Sequence, residues 1–208
     1  MPGITEARPD LAARVNGWAR RVPEWAIYLA GALPGLWIFW LAATGGLGID
    51  PVKEIEHRLG ELGLQFLIGG LAFTPARRFL GLNLIRFRRA VGLLAFAYVS
   101  LHLLAWIALD MSFLWSQAAA DIVKRPYITM GMAGFLLLLP LAITSNSASI
   151  RRMGGANWRK LHKLVYPAAL AGGIHYLWLV KAWPLEPFLY LGATILLLAL
   201  RIRLPQRA

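Results

Sequence analysis

Residues 90–109 read AVGLLAFAYVSLHLLAWIAL, a stretch without a charged side chain that carries one histidine, His102. Roughly 20 helical residues, rising about 1.5 Å each, match a hydrocarbon layer about 30 Å thick, so this stretch predicts a membrane-crossing helix. Outward from it the same reasoning picks out five more apolar stretches, at 24–44, 60–73, 127–144, 161–180 and 186–200. The second is short and glycine-rich (LGLQFLIGGLAF, 62–73), and the sixth begins within a tight WPLEP connection at 183–187. A bilayer admits helices because their backbone amides find partners within the same segment. The expected fold is therefore all-α: a polytopic membrane bundle of six transmembrane helices at 24–200, between tails at 1–23 and 201–208.

Composition supports this reading. The chain of 208 residues is 58% hydrophobic and only 15% charged, too apolar for a soluble fold, and nine Trp with nine Phe exclude a disordered one. Absence of cysteine rules out disulfides, thiolate metal sites, iron–sulfur clusters and covalent c-type haem, so any metal is held by nitrogen or oxygen. The net charge of +12 would raise nucleic acid as a partner in a soluble protein. Here the Lys and Arg residues alternate with the spans: 4, 5, 5 and 3 fall on one side, counting Lys163 just inside the fifth span, and 2, 2 and 1 on the other. That bias predicts both termini in the cytoplasm, and it assigns the excess charge to topology and anionic lipid, with no nucleic acid. Asp50, Glu54, Glu56, Glu61, Asp110, Asp121 and Glu186 lie near the positive-poor side. The N-terminal segment has four arginines and no long apolar core, so it reads as an amphipathic tail and not as a cleavable signal. No GxGxxG or Walker-type glycine loop is present, so electrons handled by this chain come from another molecule.

Ionisable groups within a span are functional candidates by default. His102, 12 residues after Ala90, is expected ~18 Å up the third span, and His175, 15 residues after Lys160, ~22 Å up the fifth. Both spans run outward, so two imidazoles reach similar depths on separate helices, as a six-coordinate b-type haem requires. Gly172, Ala171 and Ala168 share the helical face of His175 and leave room for a flat macrocycle, although small residues equally allow close helix packing. His162 is 13 residues before His175, ~20 Å along a straight helix. It reads either as a ligand of a second, inner haem or as an interfacial imidazole amid Arg159, Lys160 and Lys163. Pro167 between the two histidines is a candidate kink. His57, in DPVKEIEHRLGE (50–61), reads as part of a solvated acidic loop on the outer side, with docking of a basic partner as the alternative. No HExxH spacing supports zinc.

FTPARR (73–78), RFRRAVGLLAFAYVSLH (86–102), ITSN (143–146) and NWRKLHKLVYPAALAGGIHY (157–176) together resemble the MsrQ (YedZ) family. These are haem-binding membrane subunits of the periplasmic protein-methionine-sulfoxide reductase system, within the ferric-reductase-like transmembrane group. The similarity covers nearly the whole chain. It implies a bacterial inner-membrane cytochrome with one or two haem b groups and FMN, taking electrons from the quinone pool or from a cytosolic flavin reductase. It further implies delivery to a periplasmic molybdopterin-containing catalytic subunit, which carries out the sulfoxide chemistry and repairs oxidised periplasmic proteins. Position by position, the resemblance makes His102, His162 and His175 the haem-iron ligands. Arg77, Arg78, Arg86, Arg88, Arg151, Arg152 and Tyr166 become candidates for propionates or a flavin phosphate, though topology also explains the arginines. The third span departs from the two-haem pattern of larger relatives, with Arg88 and Arg89 where an inner histidine is expected. No flavin and nicotinamide domain follows, so direct NADPH oxidation by this subunit is not expected. Asp110 and Trp115 in the outer loop are candidate partner contacts, or members of an interfacial aromatic belt. A self-contained outer-face metalloreductase and a small transporter, hinted at by the glycine-rich second span and Pro140, are the alternatives.

Overall fold

The computed structural model describes residues 11–180 and 184–201; part of the WPLEP connection and of both expected tails lies outside them. The described residues form helices and no strands: α1 (Leu11–Arg21), α2 (Glu24–Ala43), α3 (Pro51–Leu80), α4 (Arg88–Ala105), α5 (Trp115–Lys124), α6 (Pro126–Ile143), α7 (Ser147–Met153), α8 (Gly155–Leu161), α9 (Val165–Leu179) and α10 (Leu185–Ala199). A π turn at Trp106–Asp110 continues α4, and short 3₁₀ turns at Ile85–Phe87 and His162–Leu164 precede α4 and α9. Four stretches are long and apolar enough to cross a membrane, at Glu24–Ala43, Pro51–Leu80, Ile85–Asp110 and Pro126–Ile143. The apolar α9 and α10 have 15 residues each and pack into the same bundle, α9 on α6 and α10 on both α9 and α3.

The second expected span, 60–73, is only the middle of α3. Asp50 caps this helix by accepting the Lys53 N–H at 3.2 Å, and Pro51 opens it where a missing N–H is harmless. Lys53, Glu54, Glu56, His57 and Arg58 lower the hydropathy of its first turns without breaking them. Residues 51–61 are therefore helical, which corrects the expected solvated loop around His57. The fifth expected span, 161–180, is interrupted: α8 ends at Leu161, a 3₁₀ turn spans His162–Leu164, and α9 begins at Val165. Pro167 lies in the first turn of α9, where proline is tolerated, and the departure from α-helical geometry is the 3₁₀ turn that precedes it.

Burial in α2 follows from one polar insertion. Pro34 removes an N–H from its ladder, and the buried Tyr98 hydroxyl of α4 enters one turn of it, accepting from Gly35 N–H at 2.9 Å and donating to Gly31 O at 2.6 Å. Elsewhere α2 turns Trp25, Leu29, Leu33, Leu36, Trp37, Phe39 and Trp40 outward, as a helix facing lipid does. The antiparallel arrangement gathers acid at one end of the bundle, where the ion pairs Lys53–Asp50, Arg58–Glu54 and Arg125–Asp121 lie. Arg77, Arg78, Arg86, Arg88, Arg151, Arg152 and Arg201 gather at the other end, and among the described residues none of them is in an ion pair.

Candidate metal centre

A cavity of about 360 Å³ opens between α3, α4, α6 and α9, walled by Leu64, Leu67, Val99, Phe135 and Leu138. His102 from α4 and His175 from α9 face one another in it, with ring centroids 6.1 Å apart and planes at 69°. The Nδ1 of His102 donates to Glu56 O at 2.8 Å, and the Nδ1 of His175 donates to Tyr127 O at 2.6 Å. A carbonyl oxygen has no hydrogen to give, so each Nδ1 carries the proton and each Nε2 keeps its lone pair for a metal.

The two imidazoles are seated by the same device. In α3 the accepting carbonyl belongs to Glu56 and the residue four later is Gly60; in α6 it belongs to Tyr127 and the residue four later is Gly131. Positions four apart lie on one helical face, so the glycine clears the path to the carbonyl one turn below. A Cβ on Gly60 would lie 3.2 Å from His102 Nδ1, and one on Gly131 would lie 2.8 Å from His175 Nδ1. These seats lie on neighbouring helices and have no periodicity of their own.

Metal–nitrogen bonds of about 2.0 Å, added to imidazole ring radii of about 1.2 Å, would let two imidazoles share one metal with ring centroids up to about 6.4 Å apart. The observed 6.1 Å fits one iron between the rings. Among the described residues no group of three or more His, Asp or Glu is placed to hold a metal. Two protein ligands suffice for a metal that brings its own equatorial nitrogens, as haem iron does. The residues present therefore fit a bis-histidine haem.

Lys53, His57 and Arg125 stand at the acidic end of the cavity with Glu56 and Asp110. Lys53 pairs with Asp50 at 2.9 Å and holds that carboxyl below its ordinary range. Arg125 pairs with Asp121 at 3.3 Å and donates to the Tyr127 hydroxyl at 3.2 Å. Trp106 and Asp110, from the π turn one helical turn beyond His102, complete this wall. Trp115 is exposed at the start of α5.

His162 is elsewhere. Its ring stacks on Trp158 with centroids 3.8 Å apart, and its Nε2 is 3.1 Å from Thr144 Oγ1. Thr144 gives its own hydrogen to Pro140 O at 2.6 Å, so His162 Nε2–H is the donor, the opposite tautomer from the paired histidines. None of the seven arginine and tyrosine candidates lines the cavity. Arg78 donates to Leu200 O, Arg86 to Ala19 O and Arg20 O, and Arg88 to Thr74 Oγ1. Tyr166 accepts from Arg201, and Arg77, Arg151 and Arg152 are exposed at helix ends.

Comparison with known proteins adds an independent line. Residues 59–173 match the ferric reductase like transmembrane component family; the match contains His102 and His162 and ends just before His175. A protein from Agrobacterium fabrum (strain C58) named protein-methionine-sulfoxide reductase heme-binding subunit MsrQ is 49% identical over 181 residues, covering 87% of this chain and 84% of that relative. Proteins of the same name from Brucella ovis and Brucella abortus (strain 2308) are each 48% identical over 205 residues, covering 99% of this chain and 91% of the relative.

Proposed function

This chain belongs to the MsrQ family of haem-binding subunits of protein-methionine-sulfoxide reductase, within the ferric-reductase-like transmembrane group, and from that membership we propose a multi-pass electron-transfer subunit of the bacterial inner membrane. In this reading six helices cross the bilayer, both termini are cytoplasmic, and the acidic end faces the periplasm. The chain receives electrons from the quinone pool, or from a cytosolic flavin reductase through FMN. It delivers them to a periplasmic molybdopterin-containing catalytic subunit, which reduces methionine sulfoxide in oxidised proteins. The observation that carries the reading is the pair of imidazoles 6.1 Å apart, each with Nδ1 on a backbone carbonyl.

His102 and His175 would hold the iron through Nε2, and a b-type haem there supplies a reversible one-electron couple within the membrane. Glu56 O and Tyr127 O fix the tautomer and the ring orientation. Leu64, Leu67, Val99, Phe135 and Leu138 keep water from the faces, while Lys53, His57 and Arg125 would meet the propionates. His162 would serve a second, inner haem. No nucleophile or acid–base pair is required of this chain, because the sulfoxide chemistry belongs to the partner.

The full-length protein, reconstituted in liposomes with a reduced ubiquinone analogue and the periplasmic subunit, tests this. Sulfoxide reduction should require both proteins and fail with His102→Ala or His175→Ala. Reduction of a soluble ferric chelate without the partner, and none of sulfoxide with it, would favour a self-contained metalloreductase. A haem-free wild type despite adequate haem supply would remove the cytochrome reading altogether.

A further inference from the structure

A polar strip runs from the wall of the cavity to the surface of the bundle, on α3, α9 and α10. Glu61 of α3 accepts the Tyr176 hydroxyl of α9 on Oε1 at 2.8 Å, and both residues line the cavity. One turn further along α3, Gln65 is exposed, and its Nε2 donates to the Tyr190 hydroxyl of α10 at 2.7 Å. The two phenol rings bring these pairs together, with centroids 5.7 Å apart and planes at 55°. The strip starts at the seats of the paired histidines: Glu61 follows Gly60, against which the His102 ring lies, and Tyr176 follows His175.

These groups stand deep in apolar surroundings. Counted from Pro51, Glu61 is ~15 Å and Gln65 ~21 Å along α3, in a helix long and apolar enough to cross a membrane. Glu61 takes part in none of the ion pairs among the described residues, which use Asp50, Glu54 and Asp121. A carboxyl group is costly inside a bilayer, and neutral side chains suffice to hold helices together. The strip also leaves hydrogen-bonding capacity open. Glu61 Oε2 and Gln65 Oε1 accept from no described residue, and the Tyr190 hydroxyl hydrogen has no acceptor among them. Elsewhere α10 exposes Leu189, Ile195 and Leu196, as a lipid-facing helix does. Two acceptors and a donor beside two aromatic rings, reached from lipid and ending at the cavity, match a flat ring with a hydroxyl at each end and an apolar tail.

We propose that Glu61, Gln65, Tyr176 and Tyr190 bind the headgroup of a lipid-soluble hydroquinone between α3, α9 and α10. Glu61 Oε2 accepts from one ring hydroxyl and Gln65 Oε1 from the other, while the Tyr190 hydroxyl donates to the second oxygen and the two phenol rings flank the headgroup. The proposal rests on the quinone-pool reading above and assigns that donor a site, in the half of α3 nearer the acidic end. In the sequence Glu61 is one acid among several near the positive-poor side. Its partner Tyr176 is 115 residues away, and Tyr190 is 125 residues from Gln65, so packing alone assembles the strip.

The test uses the full-length, haem-loaded protein in lipid nanodiscs, as wild type, Glu61→Gln, Gln65→Ala and Tyr190→Phe, with Tyr28→Phe on α2, outside the strip, as control. Binding is read with a fluorescent quinol analogue, heptylhydroxyquinoline N-oxide, and its displacement by decylubiquinol. Haem reduction by decylubiquinol and the haem absorption spectrum are recorded on the same samples. Wild type and Tyr28→Phe bind the analogue, and decylubiquinol displaces it. Glu61→Gln binds it about tenfold or more weakly, and Gln65→Ala and Tyr190→Phe about threefold or more weakly, all with the haem spectrum of wild type. Analogue binding in all three within about twofold of wild type overturns the site, and if decylubiquinol still reduces the wild-type haem the quinone-pool reading stands without it. A wild type that neither binds the analogue nor is reduced by decylubiquinol removes the quinone-pool reading and the proposal with it. Loss of haem in the variants in proportion to the loss of analogue also overturns the proposal, and assigns the strip to helix packing. Should Glu61→Gln fail to assemble, Gln65→Ala and Tyr190→Phe, neither of which lines the cavity, carry the comparison.

Discussion

Gly131→Ala probes the seat of His175 with one methyl group. The added Cβ would lie 2.8 Å from His175 Nδ1, 3.0 Å from Cε1 and 3.1 Å from Cγ, all atoms of one rigid ring. Non-bonded contacts are comfortable near 3.5 Å, so the imidazole must retreat by about 0.7 Å. The Nδ1–Tyr127 O hydrogen bond at 2.6 Å then stretches or breaks, and the ring loses the partner that orients it toward His102. Losing the partner that orients a ligating histidine costs about 10–100-fold in metal affinity, or roughly 1.4–2.8 kcal/mol. The same change favours the helix itself, because alanine exceeds glycine in helix propensity by about 1 kcal/mol. Haem affinity should therefore fall while the fold of the apoprotein holds. The assay is titration of the apoprotein with haemin, with helical content followed by circular dichroism. Gly60→Ala, whose Cβ meets His102 Nδ1 at 3.2 Å, should show a smaller loss, and Gly69→Ala, with nothing within 4 Å, none. Gly131→Ala binding haem within about twofold of wild type would refute the reasoning, because a ring forced off its carbonyl should not coordinate equally well.

His102→Ala and His175→Ala should each abolish six-coordinate haem, with partial recovery in added imidazole, measured by absorption spectra of the oxidised and dithionite-reduced protein. His162→Ala, outside the cavity, should lower total haem in a pyridine haemochrome assay yet leave the spectrum of the paired-histidine site in place. Tyr98→Phe removes a buried hydroxyl that serves Gly35 N–H and Gly31 O, and should cost about 1–3 kcal/mol in unfolding free energy without changing the haem spectrum. Lys53→Gln or Arg125→Gln should weaken haem retention only about two- to fivefold, because both side chains are largely exposed; dilution in detergent with spectral readout measures it.

The paired histidines were legible because helix geometry turns residue numbers into depths: two polar residues in apolar runs, 12 and 15 positions from their basic boundaries, had to arrive at one level. The carbonyl of Glu56, the carbonyl of Tyr127 and the two glycines were not, because they sit on α3 and α6 and meet the rings only through tertiary packing. Length of α3 was missed for a different reason. Hydropathy reads Lys53, Glu54, Glu56 and Arg58 as a break, whereas Asp50 and Pro51 are a helix start, and that start was the local signal available. The 3₁₀ turn at His162–Leu164 departs from the uniform α-helix assumed for the fifth span, on whose rise per residue the 13-residue spacing to a second haem level depends.

Whether His102 and His175 bind the same iron is tested most directly by low-temperature electron paramagnetic resonance of the oxidised protein, comparing wild type with His102→Ala and His175→Ala. The account predicts a low-spin ferric haem signal in wild type that each single substitution removes, giving high-spin or haem-free protein. If either variant keeps the full wild-type low-spin signal, the two imidazoles do not share an iron.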